Sequence, residues 1–256
     1  MIDAAVPAAA WPSLGVVVPV YNEAASIESG CRAILDVVRR YPASAMVIAV
    51  DDGSRDDSAA ILARMAGEHE ELDLVRHEAN AGYGEALRTG ARRAQSLGLA
   101  YVAFIDSDLT NPPEDLLKIG ELARRGHPYI KASRFVPGGS MHSVPFERRA
   151  LSRSANLLAC ALFGTRVRDV TNGFRAGRVD LICSLPTRER TFAVIIEEFA
   201  MALRAGVEPV EFPTSLSARS GAQRRSAFSY SPSLIWSYLR YPLRAYLHRL
   251  RRPHRS

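Results

Sequence analysis

Cysteine is scarce in this 256-residue chain: only Cys31, Cys160 and Cys183 occur. Three cysteines cannot make a paired disulfide framework, and gaps of 129 and 23 residues match no zinc-ligand spacing. A reducing, cytoplasmic compartment is the simplest expectation, with the cytoplasmic face of a membrane as a variant of it. No apolar run reaches 18 residues, which argues against a spanning helix. The first twelve residues are Ala-rich but lack a basic start, so residues 1–13 read as a frayed arm rather than a leader. Lysine is almost missing, with Lys118 and Lys131 the only two among 33 basic residues. The G-x-G-x-x-G fingerprint of nicotinamide dehydrogenases is absent too. After the first apolar run the chain reads PVYNEAAS instead.

What is present is ordinary globular composition, 47% apolar and 23% charged. A chain of this size buries about three quarters of its unfolded surface and needs no staple. The net charge of +6 is unevenly placed. Residues 201–256 carry ten Arg against two Glu, leaving the first 200 residues at −2. A near-neutral body with a basic tail argues against a nucleic-acid partner. It fits a tail that meets anionic lipid or holds phosphates.

Short β-rich runs alternate with helical patterns over the first 135 residues. Leu14–Val20, Ala45–Val50, Leu72–Arg76, Ala100–Ile105 and Tyr129–Ala132 read as strands. Ile27, Cys31, Ile34, Leu35 and Val38 make one helical face, and Tyr83, Leu87, Ala91 and Ala94 another. Ser54, with Asp57 behind it, reads as a helix N-cap. Pro112 and Pro113 open a helix running to about Arg125. Later, residues 146–163 and 191–205 read as helices, 207–212 as a strand, and 231–250 as an aromatic, Arg-studded helix that Pro242 would kink. The pattern predicts an α/β fold: a mostly parallel sheet flanked by helices, as one domain over 14–228 with a C-terminal amphipathic helix over 229–256. Ligands of such sheets bind beyond the carboxyl ends of the strands.

The acidic clusters of the first half fall at those ends. Asp51 and Asp52 follow AMVIAV, and Asp106 and Asp108 follow AYVAFI. Carboxylates at i and i+2 of an extended segment face the same side, and their like charges call for a neutraliser. A hard divalent cation, Mg²⁺ or Mn²⁺, suits carboxylates combined with phosphate oxygens. The plainer reading is a solvated Asp-rich turn. Gly82 and Gly84, ahead of a helix, could leave N–H groups for an anion or simply form the helix entry.

Four strings together resemble glycosyltransferase family two, inverting enzymes of GT-A fold that use nucleotide-diphosphate sugars. They are VVVPVYNEAASI (16–27), VDDGSRDDSAAIL (50–62), NAGYGEALRTG (80–90) and FIDSDLTNPPEDL (104–116). ASRF (132–135), Arg148 with Ser152, RDVTNGFR (168–175) and EFPTSLSAR (211–219) narrow the resemblance. They point to polyprenol-phosphate glycosyltransferases of the dolichol-phosphate mannose synthase type.

That resemblance implies roles. Pro19, Tyr21 and Glu23 would line the nucleotide pocket, and Asp51 would accept from the base or ribose. Asp106 and Asp108 would hold the metal and the donor diphosphate. Arg134 would bind phosphate, for which its planar fork is suited. Arg148 and Ser152 would meet the acceptor phosphate, with Arg175 near the active site and Arg219 with Arg224 or Arg225 clamping from the C-terminal side. Asp169 and Glu197 join Asp108 and Arg134 as catalytic candidates, although Glu198 beside Glu197 leaves that assignment open. Read without the resemblance, Pro19 and Tyr21 are a strand end and a core aromatic, and Arg148, Arg149 and Arg153 a solvated helix face. The sequence departs from the family at Thr110, often Gln, at Asn172, often Ser, and at SGAQRRS after Arg219, one residue short before the glycine.

The implied reaction moves a sugar from a UDP- or GDP-linked donor to a lipid phosphate, which needs no general base. A hydroxyl acceptor on a polysaccharide or metabolite is the alternative, and a non-enzymatic basic binding protein is a more distant one. The hydroxyl acceptor requires a carboxylate to take the proton, with Asp169 and Glu197 as candidates. SANLLACALFG (154–164) and WSYLRYPLRAYLHRLRR (236–252) would lie at a membrane interface as a peripheral contact.

Overall fold

Seven strands form one sheet in the computed structural model, which describes residues 10–141, 146–216 and 232–250. They are β1 (Leu14–Val20), β2 (Ala45–Asp51), β3 (Leu72–Arg76), β4 (Tyr101–Phe104), β5 (Tyr129–Ser133), β6 (Arg175–Arg178) and β7 (Val210–Pro213). Their order is β3-β2-β1-β4-β6-β5-β7. β6 pairs antiparallel with both β4 and β5, and every other pairing is parallel. Six strands therefore point the same way, and their carboxyl ends share one edge. Val20 lies opposite Asp51, so β1 and β2 end level. β4 ends earlier, opposite Val17, and the Ile105 N–H still donates to Val17 O at 3.1 Å. The chain carrying Asp106 thus leaves the sheet alongside β1.

Helices cover both faces because the strands are apolar on both. Val16, Val18 and Val20 join one buried cluster and Val17 the other. The first cluster takes in α1 (Ile27–Val38), α2 (Ser58–Glu68) and α4 (Asp115–Arg124). The second takes in α3 (Tyr83–Ser96), α5 (Phe146–Phe163), α6 (Val179–Ser184), α7 (Val194–Arg204) and α8 (Pro232–Leu250). The striped positions Ile27, Cys31, Ile34, Leu35 and Val38 are all buried.

Several local expectations need correction. Ser54 does not cap α2, which starts at Ser58. Its hydroxyl instead accepts the Asn22 N–H at 3.0 Å, tying the β1 and β2 exits together. The strand expected over 207–212 covers only Val210–Pro213. β6 and α6 carry no legible pattern: RAGR is short, has Arg at both ends, and buries the first of them. Pro242 lies inside α8 without ending it. Residues 10–13, the described end of the stretch read as a frayed arm, pack on the body. Trp11 meets Tyr41 edge-on at 5.0 Å, and Tyr41 donates to Pro12 O.

α3 comes close to β1 because Gly90 faces Val17. A Cβ there would lie 2.4 Å from Val17 Cγ1. An Ala normally gains about 1 kcal/mol over Gly inside a helix, but overpacking costs about 1–3 kcal/mol. The approach is too tight for the gain to win. Gly90→Ala is expected to lower the urea midpoint, by about 1–2 kcal/mol of stability; an unchanged or raised midpoint would show that α3 can retreat from β1.

Candidate functional site

The neighbouring carboxylates at the end of β2 have different fates. Asp52 is fully engaged. Its oxygens accept the Ala81 and Gly82 N–H groups at 2.8 Å each, and His77 Nδ1 lies 2.7 Å from Oδ1. His77 Nε2 is 3.0 Å from Thr89 Oγ1, so this chain of bonds holds the loop entering α3. Asp51 is also fully buried. Its Oδ1 accepts the Ser54 N–H at 3.1 Å, but Oδ2 has no hydrogen bond. Arg76 Nε stands 3.2 Å from that oxygen without hydrogen-bonding geometry, on a largely exposed side chain. A buried carboxylate oxygen left in this state is a ready acceptor for a ligand N–H or O–H.

Asp106 and Asp108 are placed by a turn, not by the pleat of a strand. β4 ends at Phe104, and the Leu109 N–H closes onto Asp106 O at 3.3 Å with Leu109 at φ 52°. Asp108 Oδ1 accepts the Thr110 N–H at 3.1 Å. The Tyr83 hydroxyl donates to Asp106 Oδ1 at 3.1 Å. On the other side Gly173 keeps the space clear: a Cβ there would stand 3.6 Å from Tyr83 Oη and 3.8 Å from Asp106 Oδ2. Tyr83 and Gly173 escaped the sequence reading. Tyr83 passed as a member of the helix stripe, although a core position has no use for a hydroxyl. Gly173 stood only inside the string RDVTNGFR.

Arg134 and Asp169, both read as catalytic, form one unit. Arg134 Nε and Nη2 meet Asp169 Oδ2 and Oδ1 at 2.7 and 2.8 Å, and the Arg134 N–H adds a third bond. Thr171 and Asn172 N–H groups also donate to Asp169. Burial would raise this carboxyl, but the Arg134 guanidinium outweighs it and holds it below the ordinary carboxylate range. Asp169 is fully buried, and its bonds anchor Arg134. Arg134 keeps its Nη2 on Thr171 Oγ1 at 2.7 Å, at the rim of the 169–173 turn.

Arg175 does not reach an acceptor. It is fully buried under the ring of Phe104, and its Nε and Nη2 pair with Glu198 at 2.6 Å each. Tyr129 donates to the same Glu198. A strand position inside the sheet, facing an acid of α7, left no route outward. Glu197 is likewise committed. Oε2 accepts the Arg188 and Glu189 N–H groups at 2.8 and 2.7 Å, and Oε1 accepts the Tyr241 hydroxyl at 2.9 Å. It holds the turn into α7 against α8. The anion site imagined at the start of α3 is filled by protein: Gly82 N–H serves Asp52, and Gly84 N–H serves Arg190 O at 3.0 Å.

The remaining expectations are unevenly placed. Tyr21 is 40% exposed beside the exit of β1, where the base of a ligand could rest on it. Pro19 pairs with Val50, and Glu23 accepts the Ser26 hydroxyl at 3.1 Å. Ser152 lies half-buried on α5. The Arg148 side chain, Arg219, Arg224 and Arg225 lie outside the described residues.

The donor set fits a hard divalent cation. Among the described residues no group of three or more His, Cys, Asp or Glu side chains gathers. Asp106 and Asp108 would supply at most two protein carboxylates, beside Gly173, whose missing side chain faces Asp106. A Mg²⁺ or Mn²⁺ ion suits such a sparse set when phosphate oxygens and water complete its shell.

Residues 15–183 match the model of the family described as glycosyl transferase family 2. A polyprenol monophosphomannose synthase of Mycolicibacterium smegmatis is 26% identical over 208 residues, covering 80% of this chain and 77% of that protein. An undecaprenyl-phosphate 4-deoxy-4-formamido-L-arabinose transferase of Pseudomonas paraeruginosa is 34% identical over 185 residues, covering 72% and 52%. A solved Mycobacterium tuberculosis glucosyl-3-phosphoglycerate synthase, in complex with Mn²⁺, UDP and phosphoglyceric acid, shares the fold. Its TM-score is 0.62 at 23% identity, over 95% of this chain and 80% of that one.

The floor of the site contains a titration that can be measured. Lys131 on β5 is fully buried, with Nζ on Asn172 O at 2.9 Å. Burial first, then the charge of Arg175, pulls its pKa down to about 8. The unfolded value is about 10.4, so between about 8 and 10.4 the unfolded chain binds more protons and stability rises with pH. Below pH 8 the charged amine costs stability in full. Lys131→Met removes this dependence, so the stability difference between variant and native protein should move in favour of the native chain from pH 7.5 to 10. Urea melts at both pH values measure it; a difference that does not move would place Lys131 near its ordinary pKa.

Proposed function

The chain belongs to glycosyl transferase family 2, and we propose that it transfers a sugar from a nucleoside-diphosphate donor to a polyprenyl phosphate. Asp51 offers Oδ2, which accepts no hydrogen bond within the protein, to a donor of the base or ribose, beside the exposed ring of Tyr21. Asp106 and Asp108 hold the diphosphate end through Mg²⁺ or Mn²⁺. When bound, that ion supplies stabilisation of the negative charge that builds on the leaving nucleoside diphosphate. Arg134, made rigid by Asp169, presents its charge to a phosphate from the neighbouring strand tip.

One observation favours the phosphate acceptor over a hydroxyl: both acids available as a general base are already committed. Asp169 is saturated by Arg134 and the backbone, and Glu197 by two N–H groups and Tyr241. A phosphate is anionic at neutral pH and needs only positioning and desolvation. The relatives whose names specify polyprenol or undecaprenyl phosphate support the same reading.

A lipid acceptor requires an approach surface. α5 and α8 pack together and carry most of the exposed large apolar side chains: Leu157, Leu158, Trp236, Tyr246, Leu247 and Leu250. α8 has Arg240, Arg244 and Arg249 and no acid. No helix of the described residues is long and apolar enough to cross a membrane. A peripheral, salt-sensitive contact with anionic lipid follows from this mixture.

The test pairs UDP- and GDP-sugars with a short polyprenyl phosphate, in detergent and with Mn²⁺ or Mg²⁺. Transfer with one of the two donors is expected, and Asp108→Ala should lower it at least ~100-fold and abolish metal-dependent protection by the nucleotide in thermal melts. Binding to anionic vesicles should fall as salt rises. Transfer to free sugar hydroxyls but not to the lipid phosphate, or nucleotide binding indifferent to metal and to Asp108, would overturn the reading.

A further inference from the structure

The last helix reaches Asp106 through aromatic side chains that no motif singled out. Tyr238 of α8 donates its hydroxyl to Phe192 O at 3.0 Å. The Phe192 ring lies on that of Tyr83, with centroids 4.4 Å apart and planes at 34°. Tyr83 donates to Asp106 Oδ1. Further along α8, the Tyr241 hydroxyl lies 2.9 Å from a carboxylate oxygen of Glu189 and of Glu197, sharing its one proton between them, and Arg240 pairs with Glu189. The same 188–193 segment is gripped from its other side by α3, where Arg88 Nη1 donates to Glu189 O at 2.9 Å. Two glycines permit the approach. A Cβ on Gly82 would lie 2.6 Å from Arg190 O, and one on Gly84 2.0 Å from Glu189 O. The segment is therefore held between the final helix and the start of α3.

We propose that Tyr83 is a positioning residue for Asp106, and that α8, through Tyr238 and Phe192, holds Tyr83 in place, so that the metal–diphosphate grip depends on the last helix. The proposal rests on the assignment of Asp106 and Asp108 to the donor diphosphate. A carboxylate at a strand tip can turn about its final torsion. A hydrogen bond to Oδ1 fixes its plane, with Oδ2 on the side of Gly173. A phenol keeps its proton at neutral pH, so the Tyr83 hydroxyl is a donor there. The ring stack on Phe192 fixes where that phenol sits. The helix that carries the lipid-facing side chains is thus also the one that closes on the donor carboxylate.

Binding of Mn²⁺ in the presence of UDP, and separately of GDP, tests this by titration on the full chain. Asp108→Ala should remove nucleotide-dependent Mn²⁺ binding. Tyr83→Phe should weaken it about tenfold and Tyr238→Phe about threefold. The double variant should be no weaker than Tyr83→Phe alone, because both act along one line. Donor KM should follow Mn²⁺ affinity while kcat changes less. Should Tyr83→Phe fail to fold, Phe192→Leu keeps the hydroxyl and the Phe192 carbonyl but removes the stack, and should weaken Mn²⁺ binding in the same way. If Asp108→Ala abolishes binding while the Tyr83, Tyr238 and Phe192 variants bind like the native chain, the coupling is wrong. Effects of Tyr83→Phe and Tyr238→Phe that multiply would also refute a shared line. If Asp108→Ala binds as the native chain does, the donor assignment fails and the coupling falls with it.

Discussion

Carboxylates cannot be crowded along one edge of a sheet unless each finds its own donor or cation, and this constraint organises the molecule. Six strands end on that edge, and several acids of the described residues lie at or beneath it. Asp52 is satisfied by the backbone of the loop into α3, Asp169 by Arg134, Glu198 by Arg175 and Tyr129, and Glu197 by backbone and Tyr241. Removing any of these donors would leave a buried charge uncompensated, which costs far more than a surface pair contributes. Asp51, with an oxygen lacking a hydrogen bond, and the turn-borne pair Asp106 and Asp108 are the acids whose surroundings best suit a ligand.

The basic residues divide in the same manner. Arg175 and Lys131 sit under the site, where their charges stabilise the acids of α7 and the 169–173 turn but touch no solvent. Burying two cations so close depresses Lys131, the only one of the pair that can lose its proton in the working range. Arg134 occupies the boundary: half of its guanidinium serves structure, and the turn it stiffens brings Gly173 in front of Asp106. Ion pairs here therefore define the shape of the site before they define its charge.

Much of the architecture was legible in the chain. Buried runs of Val, Ile and Ala between amphipathic stripes read as two-faced strands under helices, so a mostly parallel sheet followed. The boundaries of β1, β3 and α5 matched as well. β6 escaped because four residues framed by arginines show no alternation, and its place in the sheet comes from neighbours far away in sequence. The different fates of Asp51 and Asp52 were not legible for a related reason. Adjacent residues have opposite surroundings, and only the loop that returns from β3 decides which one is consumed.

By itself the sequence determined which residue types gather at the strand ends, since the period of the apolar pattern sets strand, helix and direction. It also carried the family motifs, because those are local strings. Tertiary structure decided the roles of Arg175, Asp169 and Glu197, and brought Tyr83, Phe192 and Tyr238 to Asp106. Those outcomes depend on contacts across tens to more than a hundred residues. A charge or hydroxyl has no function until the fold determines whether water, a ligand or another side chain satisfies it.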